Sequence, residues 1–409
     1  MTLQTDDRFM KRQSIAITAL TAAFCISHVS SQTFAIDNIP SRTPRDVWIS
    51  ADRGNRQGRG TRSDPYDGST AAKLDTILRN IGVNTTVHFG PGAFETVGSG
   101  SGPGFHPKSG CKYIGAGMAV TTIKLAALDG SNAYGAVFDS GGATIDGVEV
   151  RDMTIDTNGD ALLATYGGDF RVGGVNLKGR NCVIENVRLI HEYGHQATGR
   201  EAFGLAIEST GNGLIKHCLV DSFAGGTDYG QMIGFTGSSN GGIIKDCEVV
   251  GQTTNTSAYV AYGSNITLSN CRSVKCRNFL YMDTGNVDHV TVRGCRAIGL
   301  TGNFINCAQA AGFSHHDILI EGCVVDFTAT GGQFFGASAA DTTHVYNVTL
   351  TSNVITQSSG NDYIAYNFAS LDNFREYGNR WRGRARVGRN ALDPSSKNYN
   401  IRAQFRRSR

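Results

Sequence analysis

The sequence is poor in charge and has no long apolar run after its N-terminal segment. Charged side chains make up 18% of its 409 residues and hydrophobic ones 40%, a balance that excludes intrinsic disorder. No Gly-X-Y period is present, which excludes a collagen-like chain. No stretch after the N-terminal segment approaches the length of a membrane span. Glycine, in contrast, is abundant. It makes up 52 of the 409 residues, about 13%, whereas an average chain has about 7%.

The N-terminal segment is typical of a secretion signal. Lys11 and Arg12 precede an apolar run from Ser14 to Val29, and small residues lead to Ala35. We therefore predict a signal peptide over residues 1–35, cleaved near Ala35. The protein is then expected in the periplasm, at the cell surface or outside the cell.

The C-terminal segment is basic. Residues 372–409 carry eleven basic and three acidic side chains, whereas the whole chain has a net charge of only +3. Such a tail is typical of contact with a polyanion, either nucleic acid, an acidic glycan or an anionic surface. A solvated terminus without a partner is the alternative. We expect no specific nucleic-acid recognition.

A short pattern recurs from about residue 145 onward: two alternating apolar positions, a turn residue, and an anchor that is Cys or an equivalent. The interval between neighbouring anchors falls in the range that is typical of solenoid repeats. Each copy consists of short β-type runs, so each is expected to form one coil of a parallel β-helix. The anchors are Met153, Val187, Cys218, Cys247, Cys271, Cys295, Cys323, Asn353 and Asn379.

The residue before each anchor predicts a sharp corner, because most of these residues are Gly, Asn or Asp, which adopt a left-handed backbone at low cost. A third short strand precedes each anchor from Val187 to Asn353. These strands begin at Val175, Leu205, Ile233, Val260, Leu280, Ile305 and Phe335. Three strands per coil predict an all-β, triangular helix in which Ala206, Ala261 and Tyr281 face outward.

The N-terminal part fits the start of such a helix. Residues 69–81 begin with a capping Ser-Thr pair and continue with an apolar stripe at helical spacing. An α-helix here would cover the exposed edge of the first coil. We therefore expect four segments: a signal peptide (1–35), a strand and capping helix (36–85), a parallel β-helix (86–383) and a basic tail (384–409).

Three N-terminal segments resemble the pectate-lyase-like superfamily of right-handed parallel β-helix proteins. They are Val47-Trp-Ile-Ser-Ala-Asp-Arg-Gly, Val87-His-Phe-Gly-Pro-Gly-Ala-Phe, and Tyr113-Ile-Gly-Ala-Gly with the later Thr121-Thr-Ile. The resemblance implies a right-handed helix. It does not imply one activity, because the superfamily includes lyases, hydrolases, epimerases, tailspikes and non-catalytic surface proteins. The Asp-Asp pair and Gly-His-Gly segment of polygalacturonases are absent, so no catalytic residue is carried over.

Two adjacent loops that lead into third strands contain the densest cluster of reactive side chains. Candidate catalytic residues are His191, Tyr193, His195, Arg200, Glu201 and Asp228, and candidate substrate-binding residues are Glu208, Tyr229, Tyr281 and Asp283. A lyase acting on a uronic-acid polymer needs a cation at the carboxylate and a base at the neighbouring carbon, which Arg with His or Tyr can supply. The alternative is a polar loop without catalytic function.

A hydrolase would instead need two carboxylates at about 5 Å or about 6.5–9.5 Å. Glu208 and Asp283 are three coils apart in the predicted stack, about 14 Å, so a hydrolase would have to use Glu201 or Asp228. Basic residues also flank the corners, but Glu185, Glu248 and Glu321 interrupt them. We therefore expect a mixed, solvated face there.

Ten cysteines in an exported protein normally suggest disulfides. Five of them are anchors in one inward column, where neighbouring side chains run parallel, so we expect packed, reduced thiols. No cofactor and no metal site are expected, and no clear ligand cluster supports calcium. The sequence thus predicts an exported β-helix that binds an acidic polysaccharide and cleaves it by β-elimination. The alternative is a non-catalytic surface, adhesion or tailspike-like protein. The oligomeric state is left open.

Overall fold

The computed structural model describes residues 46–52, 58–98, 104–128, 134–195, 197, 199, 201–225, 229–251, 256–282, 285–307, 313–328, 333–337, 344–357, 363–366, 370–383 and 400–401. They belong to one unit, Thr43–Arg409. The predicted signal peptide lies outside these residues, as does the basic tail apart from 400–401. In the part of the chain that is described, no helix is long and apolar enough to cross a membrane.

The described residues form 31 strands and two helices, and the strands pair in parallel. The first coils contain β1 (Asp46–Ser50), β2 (Tyr66–Asp67), α1 (Ala71–Asn80), β3 (Thr86–Phe89), β4 (Gly92–Thr96), β5 (Lys112–Ile114), β6 (Thr121–Leu125), β7 (Tyr134–Asp139), β8 (Ile145–Asp146), β9 (Glu149–Asp156) and α2 (Gly159–Tyr166). The central coils contain β10 (Arg171–Arg180), β11 (Val183–Ile190), β12 (Ala202–Gly211), β13 (Gly213–Lys216), β14 (Leu219–Val220), β15 (Gly230–Lys245), β16 (Glu248–Val250), β17 (Thr256–Ser269), β18 (Arg272–Val274), β19 (Asn278–Met282), β20 (Val287–Arg293) and β21 (Arg296–Leu300). The last coils contain β22 (Asn303–Cys307), β23 (Ser314–Glu321), β24 (Val324–Phe327), β25 (Gln333–Ala337), β26 (His344–Thr351), β27 (Val354–Gln357), β28 (Tyr363–Tyr366), β29 (Ser370–Tyr377), β30 (Arg380–Gly383) and β31 (Asn400–Ile401).

The predicted corner column is confirmed, because all nine residues before the anchors have a positive φ. They are Asp152, Asn186, His217, Asp246, Asn270, Gly294, Gly322, Ser352 and Gly378. A second column of residues with positive φ, which we did not predict, lies six residues before the anchors. Its side chains hydrogen-bond from coil to coil, as where Asn373 Nδ2 donates to Asn347 Oδ1 at 2.7 Å and Asn347 Nδ2 donates to Asp317 Oδ1 at 3.0 Å.

The third strands stack in the predicted register as far as β15. From there Tyr259, instead of Val260, continues the inward column that begins with Val175. The prediction was therefore wrong by one residue in β17, where Ala261 is buried. The physical reason is that every residue from Thr256 to Gly263 is buried, so an alternation of apolar and polar residues does not mark the inward side chains there.

The core is filled by stacked columns of like residues. The five cysteine anchors are buried, as predicted, and all nine described cysteines are free thiols. Asn353 and Asn379 take the place of the cysteines in the last coils. The side-chain Nδ2 of Asn353 donates a hydrogen bond to Asn379 Oδ1 at 2.9 Å. The ring of Phe304 stacks between the rings of Phe279 and Phe334, with centroid distances of 4.7 Å and 5.1 Å. Residues of the same type thus stack on one another in successive coils, whose strands lie about 4.8 Å apart.

Helix α1 confirms the predicted N-terminal helix. Thr70 Oγ1 accepts a hydrogen bond from Lys73 N at 3.4 Å and caps it. Leu74 and Leu78 are fully buried against the first coil. The parallel stack of strands begins with β1, which pairs with β3. Helix α2 was not predicted.

Carboxylates pair with several of the basic residues on this face, as the mixed-face interpretation predicted. Lys112 lies 2.7 Å from Glu149, Arg188 2.9 Å from Asp221 and Lys216 2.9 Å from Glu185. Each pair joins neighbouring coils on the outside of the sheet. Exposed pairs of this kind contribute at most about 1 kcal/mol each, so they favour solubility and register over binding.

Candidate functional site

The first predicted catalytic residue, His191, lies immediately after β11. It has a left-handed backbone with φ of 58°, and its carbonyl oxygen accepts a hydrogen bond from Thr157 Oγ1 at 2.6 Å. Its Nδ1 lies 2.7 Å from Asp156 Oδ1 on the preceding coil. The His191 side chain is 38% exposed and that of Asp156 only 12%. A carboxylate that orients an imidazole in this way prepares the other ring nitrogen for proton transfer.

The next two residues point into the core. Tyr193 is only 2% exposed, stacks on Phe170 at 4.5 Å and donates its hydroxyl to the carbonyl oxygen of Gly168 at 3.3 Å. Its predicted catalytic role does not fit this position, because the ring fills the interior beneath the loop. Glu192, which we did not predict, is fully buried, and burial raises the pKa of its carboxyl group well above the usual value.

The remaining loop residues are placed as follows. His195 lies beside Gly168, close to the start of β10. The carbonyl oxygen of Tyr229 accepts a hydrogen bond from Ala202 N at 3.2 Å, so the two predicted loops are neighbours in space. Three further candidates, Arg200, Asp228 and Asp283, lie outside the described residues.

A polar cluster occupies the outer face at the start of the third strands, and only Glu201 among its members was a predicted site residue. The Arg171 guanidinium lies 5.1 Å from the centre of the Tyr134 ring and 5.9 Å from that of Phe203. Its Nη1 donates a hydrogen bond to the carbonyl oxygen of Glu201 at 3.2 Å. Within the described part of the chain, no carboxylate lies within ion-pair distance of Arg171. We call Arg171, Tyr134, Phe203, Glu201 and Gln231 the arginine cluster.

Gln231 connects this cluster to the next coils. Its Nε2 donates to Glu201 Oε1 at 2.7 Å, and its Oε1 accepts from the Tyr262 hydroxyl at 2.7 Å. Gln231 is 2% exposed and Tyr262 5%. Both are therefore fixed, which orients the Glu201 carboxylate on the outer face. Sequence spacing does not reveal this cluster, because its members come from four coils and meet only through the register of β7, β10, β12 and β15.

On the other side of the cluster, Tyr134 contacts a second carboxylate. The Tyr134 hydroxyl donates to Asp139 Oδ2 at 2.7 Å, and Asn176 stacks in register above Asp139. Burial, together with the charge of Asp139, raises the pKa of Tyr134. The phenol therefore stays protonated and acts here as a hydrogen-bond donor.

The register separates the two predicted glutamates. Glu201 precedes β12 and Glu208 lies near its end, which puts an extended chain of about 23 Å between them. Glu208 also pairs with Lys178 at 3.0 Å. Because hydrolysis needs carboxylates within about 10 Å, Glu201 and Glu208 do not form a hydrolytic pair. Tyr281, the last predicted binding residue, is half-buried and lies in register between Val260 and Asn306 of the neighbouring coils.

No group of three or more His, Cys, Asp or Glu side chains is placed to hold a metal ion, as far as the described residues extend. The arrangement can nevertheless bind and polarise an anionic ligand, through Arg171 and the aromatic rings beside it. It can also move a proton, through His191 and its Asp156 partner. The two groups belong to adjoining segments, because Val172 N, next to Arg171, donates to the carbonyl oxygen of Tyr193 at 3.1 Å.

No protein-family model and no curated protein match the sequence. Solved structures do match. The tailspike protein of E. coli bacteriophage HK620, in complex with a pentasaccharide, is 13% identical with a TM-score of 0.56, and the match covers 76% of this chain. It covers 63% of the tailspike, so this chain spans less than two thirds of that protein's length.

The A-module of the Azotobacter vinelandii mannuronan C-5 epimerase AlgE6 also matches, with 13% identity and a TM-score of 0.41, over 77% of this chain and 94% of that one. The tailspike likeness concerns the fold alone. It agrees with the stacked parallel strands described above. The resemblance inferred from the sequence is thus confirmed at the level of the fold: the chain is a right-handed parallel β-helix.

Proposed function

We propose that the protein binds an acidic polysaccharide along the outer face of its third strands, with the arginine cluster holding a sugar carboxylate. The observation that carries the proposal is Arg171, a half-buried cation between two aromatic rings, with no carboxylate partner among the described residues. A guanidinium matches a carboxylate in geometry and charge. The rings beside it offer apolar surface to a sugar.

The reaction that this site favours is β-elimination. A base removes the proton from the carbon next to the sugar carboxylate, a carbon–carbon double bond forms, and the glycosidic carbon–oxygen bond breaks. Arg171 would neutralise the carboxylate, which stabilises the charge that develops there. His191, oriented by Asp156 at 2.7 Å, is the proposed base, with His195 as the alternative. The departing oxygen takes up a proton, which balances the one that the base removed, so the cleavage consumes no water.

Two observations favour elimination over hydrolysis. Glu201 and Glu208 are too far apart to act together, and Glu208 is engaged by Lys178. Elimination needs one cation and one base, which the adjoining segments offer. The stretch from Lys11 to Ala35 further supports the proposal that the protein is exported, where polysaccharides are accessible.

Glycan binding without cleavage is the second candidate. It is favoured by the likeness to a tailspike whose structure contains a bound pentasaccharide. In that case Arg171 and the rings beside it would hold the polymer, and the pair of His191 and Asp156 would only fix the loop. The two candidates differ in product and share the binding face.

The test combines a binding assay and a product assay on the full chain. Polygalacturonate, alginate and neutral glycans are offered in turn, with and without calcium, and the unsaturated product is followed by its ultraviolet absorbance. We expect product from a polyuronate, and a loss of both binding and product in Arg171→Ala. Arg188→Ala is the matched control, because Arg188 is already paired with Asp221.

The outcomes separate the candidates. Product that disappears in His191→Ala, with binding retained, supports elimination with His191 as the base. Binding without any product leaves only the non-catalytic candidate. If no acidic glycan binds, or if Arg171→Ala binds as well as the wild type, the proposed site is rejected.

A further inference from the structure

A polar groove lies outside the site described above, at the corner that follows the third strands of three successive coils. It has a volume of about 400 Å³ and is open to the surface. Among the described residues, its lining contains no Phe, Tyr or Trp and no Lys or Arg. Its lining includes Ser238, Asn240, Gly263, Ser264, Asp288 and His289.

One wall of the groove is an irregularity in β15. The pairing of β15 with β17 slips between Phe235 and Ser239, so that the extra residues around Ser238 project from the sheet. On the next coil, Gly263 pairs with Ser239 and has φ of 108°. A Cβ at this position would lie only 2.0 Å from the carbonyl oxygen of Ser239. Only glycine fits there. Bulges of this kind often lie beside binding sites, because they redirect side chains locally.

The floor and rim carry fixed hydrogen-bonding groups. Asp288 accepts hydrogen bonds from Ser264 Oγ at 2.7 Å and His289 Nδ1 at 2.6 Å. Burial alone would raise the pKa of Asp288, but these hydrogen bonds outweigh it and leave the pKa below its usual value. On the other wall, Asn240 Oδ1 accepts from Asn265 Nδ2 at 2.9 Å. Asp288 therefore presents a permanent negative charge to the groove at neutral pH.

The titratable cation nearest to Asp288 in the groove is His289. Its Nδ1 lies 2.6 Å from Asp288 and its Nε2 3.8 Å from Asp317. The hydrogen bond to Asp288 raises the pKa of His289. Asp317 is also paired with His316, at 2.7 Å, so two imidazoles lie against two carboxylates here. Asp288 is the carboxylate of the lining itself, and the lining is negative when His289 is neutral.

These features select against an acidic ligand and for one rich in hydroxyl groups. While His289 is neutral, the lining carries the charge of Asp288 with no Lys or Arg among the described residues to balance it, which disfavours a uronic acid. Carboxylate, carboxamide and hydroxyl groups together can both accept from and donate to sugar hydroxyls. We infer that this groove binds a neutral pyranose residue of the polysaccharide. The inference rests on the proposed function and deepens it, because the preferred polymer then contains neutral as well as acidic sugars.

The test measures binding of two probes by calorimetry: a neutral set (maltopentaose, cellopentaose and N-acetylchitopentaose) and oligogalacturonate. Asp288→Asn preserves the shape of the groove but removes the charge, and Ser238→Trp fills it from an exposed position. Asp326→Asn, on β24 and outside the groove, is the matched control. Loss of a hydrogen bond to a charged group predicts an affinity for the neutral probe that is about tenfold weaker in Asp288→Asn.

The inference is supported if both groove variants lose neutral binding while Asp326→Asn retains it. It is overturned if no member of the neutral set binds the wild type, or if Ser238→Trp binds it unchanged. Binding of oligogalacturonate, and its loss in Arg171→Ala, reports on the proposed function independently. Either idea can thus fail while the other stands.

Discussion

At the scale of single residues, the corner before each anchor depends on a left-handed backbone. The nine residues before the anchors have φ between 52° and 69°, whatever their side chain. His217 and Ser352 occupy this position as well as Gly, Asn and Asp. The stacking therefore forces the conformation on residues that do not favour it, and glycine or asparagine only lowers its cost.

Gly322 allows this cost to be measured. A Cβ at Gly322 would meet no atom closer than 4.0 Å, so a substitution there changes the backbone preference without a clash. Gly322→Ala is expected to lower the free energy of unfolding by about 1 kcal/mol, and Gly322→Asn by less, because Asn tolerates the left-handed region. Urea denaturation of the two variants measures the difference. Equal losses would contradict the argument.

Glu192 predicts a pH dependence. Because burial raises its pKa in the folded protein, the folded state binds the proton more tightly than the unfolded one. Stability must then fall as the pH rises above about 4.5, the value of an ordinary Glu, until the folded pKa is passed. Glu192→Gln should remove this slope, so the variant is expected to exceed the wild type in melting temperature at pH 8 but not at pH 4. Glu185→Gln, at the ion pair with Lys216, is the control.

At the scale of the secondary-structure element, much of the fold followed from the sequence. The corners were predictable because each depends on a local backbone preference, as at Asn186 and Gly294. The register of β17 was not, because every residue from Thr256 to Gly263 is buried, which removes the alternation on which the prediction relied.

The candidate site was less predictable for a related reason. His191 and Glu201 were identified as reactive residues in a loop, but the burial of Tyr193 depends on Phe170, which comes from another part of the stack. Arg171 was missed because the rings that flank it belong to β7 and β12, on the coils before and after its own. Such contacts exist only once the coils are stacked, and no short-range pattern encodes them.

The aromatic stack tests the packing between elements. Phe304 is fully buried between Phe279 and Phe334, which belong to the coils on either side. Phe304→Ala is expected to cost about 3–5 kcal/mol in the free energy of unfolding, and Phe304→Leu about 1.5 kcal/mol or less. Phe313→Ala, at an exposed phenylalanine nearby in the chain, should change it little. A similar loss at both positions would show that the stack contributes nothing specific.

At the scale of the whole molecule, each coil contacts mainly the coils before and after it. Strand β26, for example, pairs with β23 and β29 alone among the described strands. Stability in such a solenoid is a sum of coil and nearest-neighbour contributions, so damage at one end need not reach the other.

Hydrogen exchange can show this locality. Phe374 is fully buried in β29, near the C-terminal end of the stack. Phe374→Ala is expected to speed amide exchange in β26 and β29 by about ten-fold or more while leaving β10 and β12 unchanged. Mass spectrometry of exchanged peptides measures both regions in one experiment. Uniform acceleration along the chain would mean that the coils unfold as one cooperative unit.

The repeated left-handed corner has a consequence for how this chain can change in length. From Asp246 to Asn270, one corner follows another after a single coil, and the anchors Cys247 and Cys271 keep the same spacing. A duplicated segment of that length would bring its own corner, anchor and matching edges. Such chains can therefore gain or lose whole coils by duplication or deletion, and an engineer could lengthen the binding face by the same step.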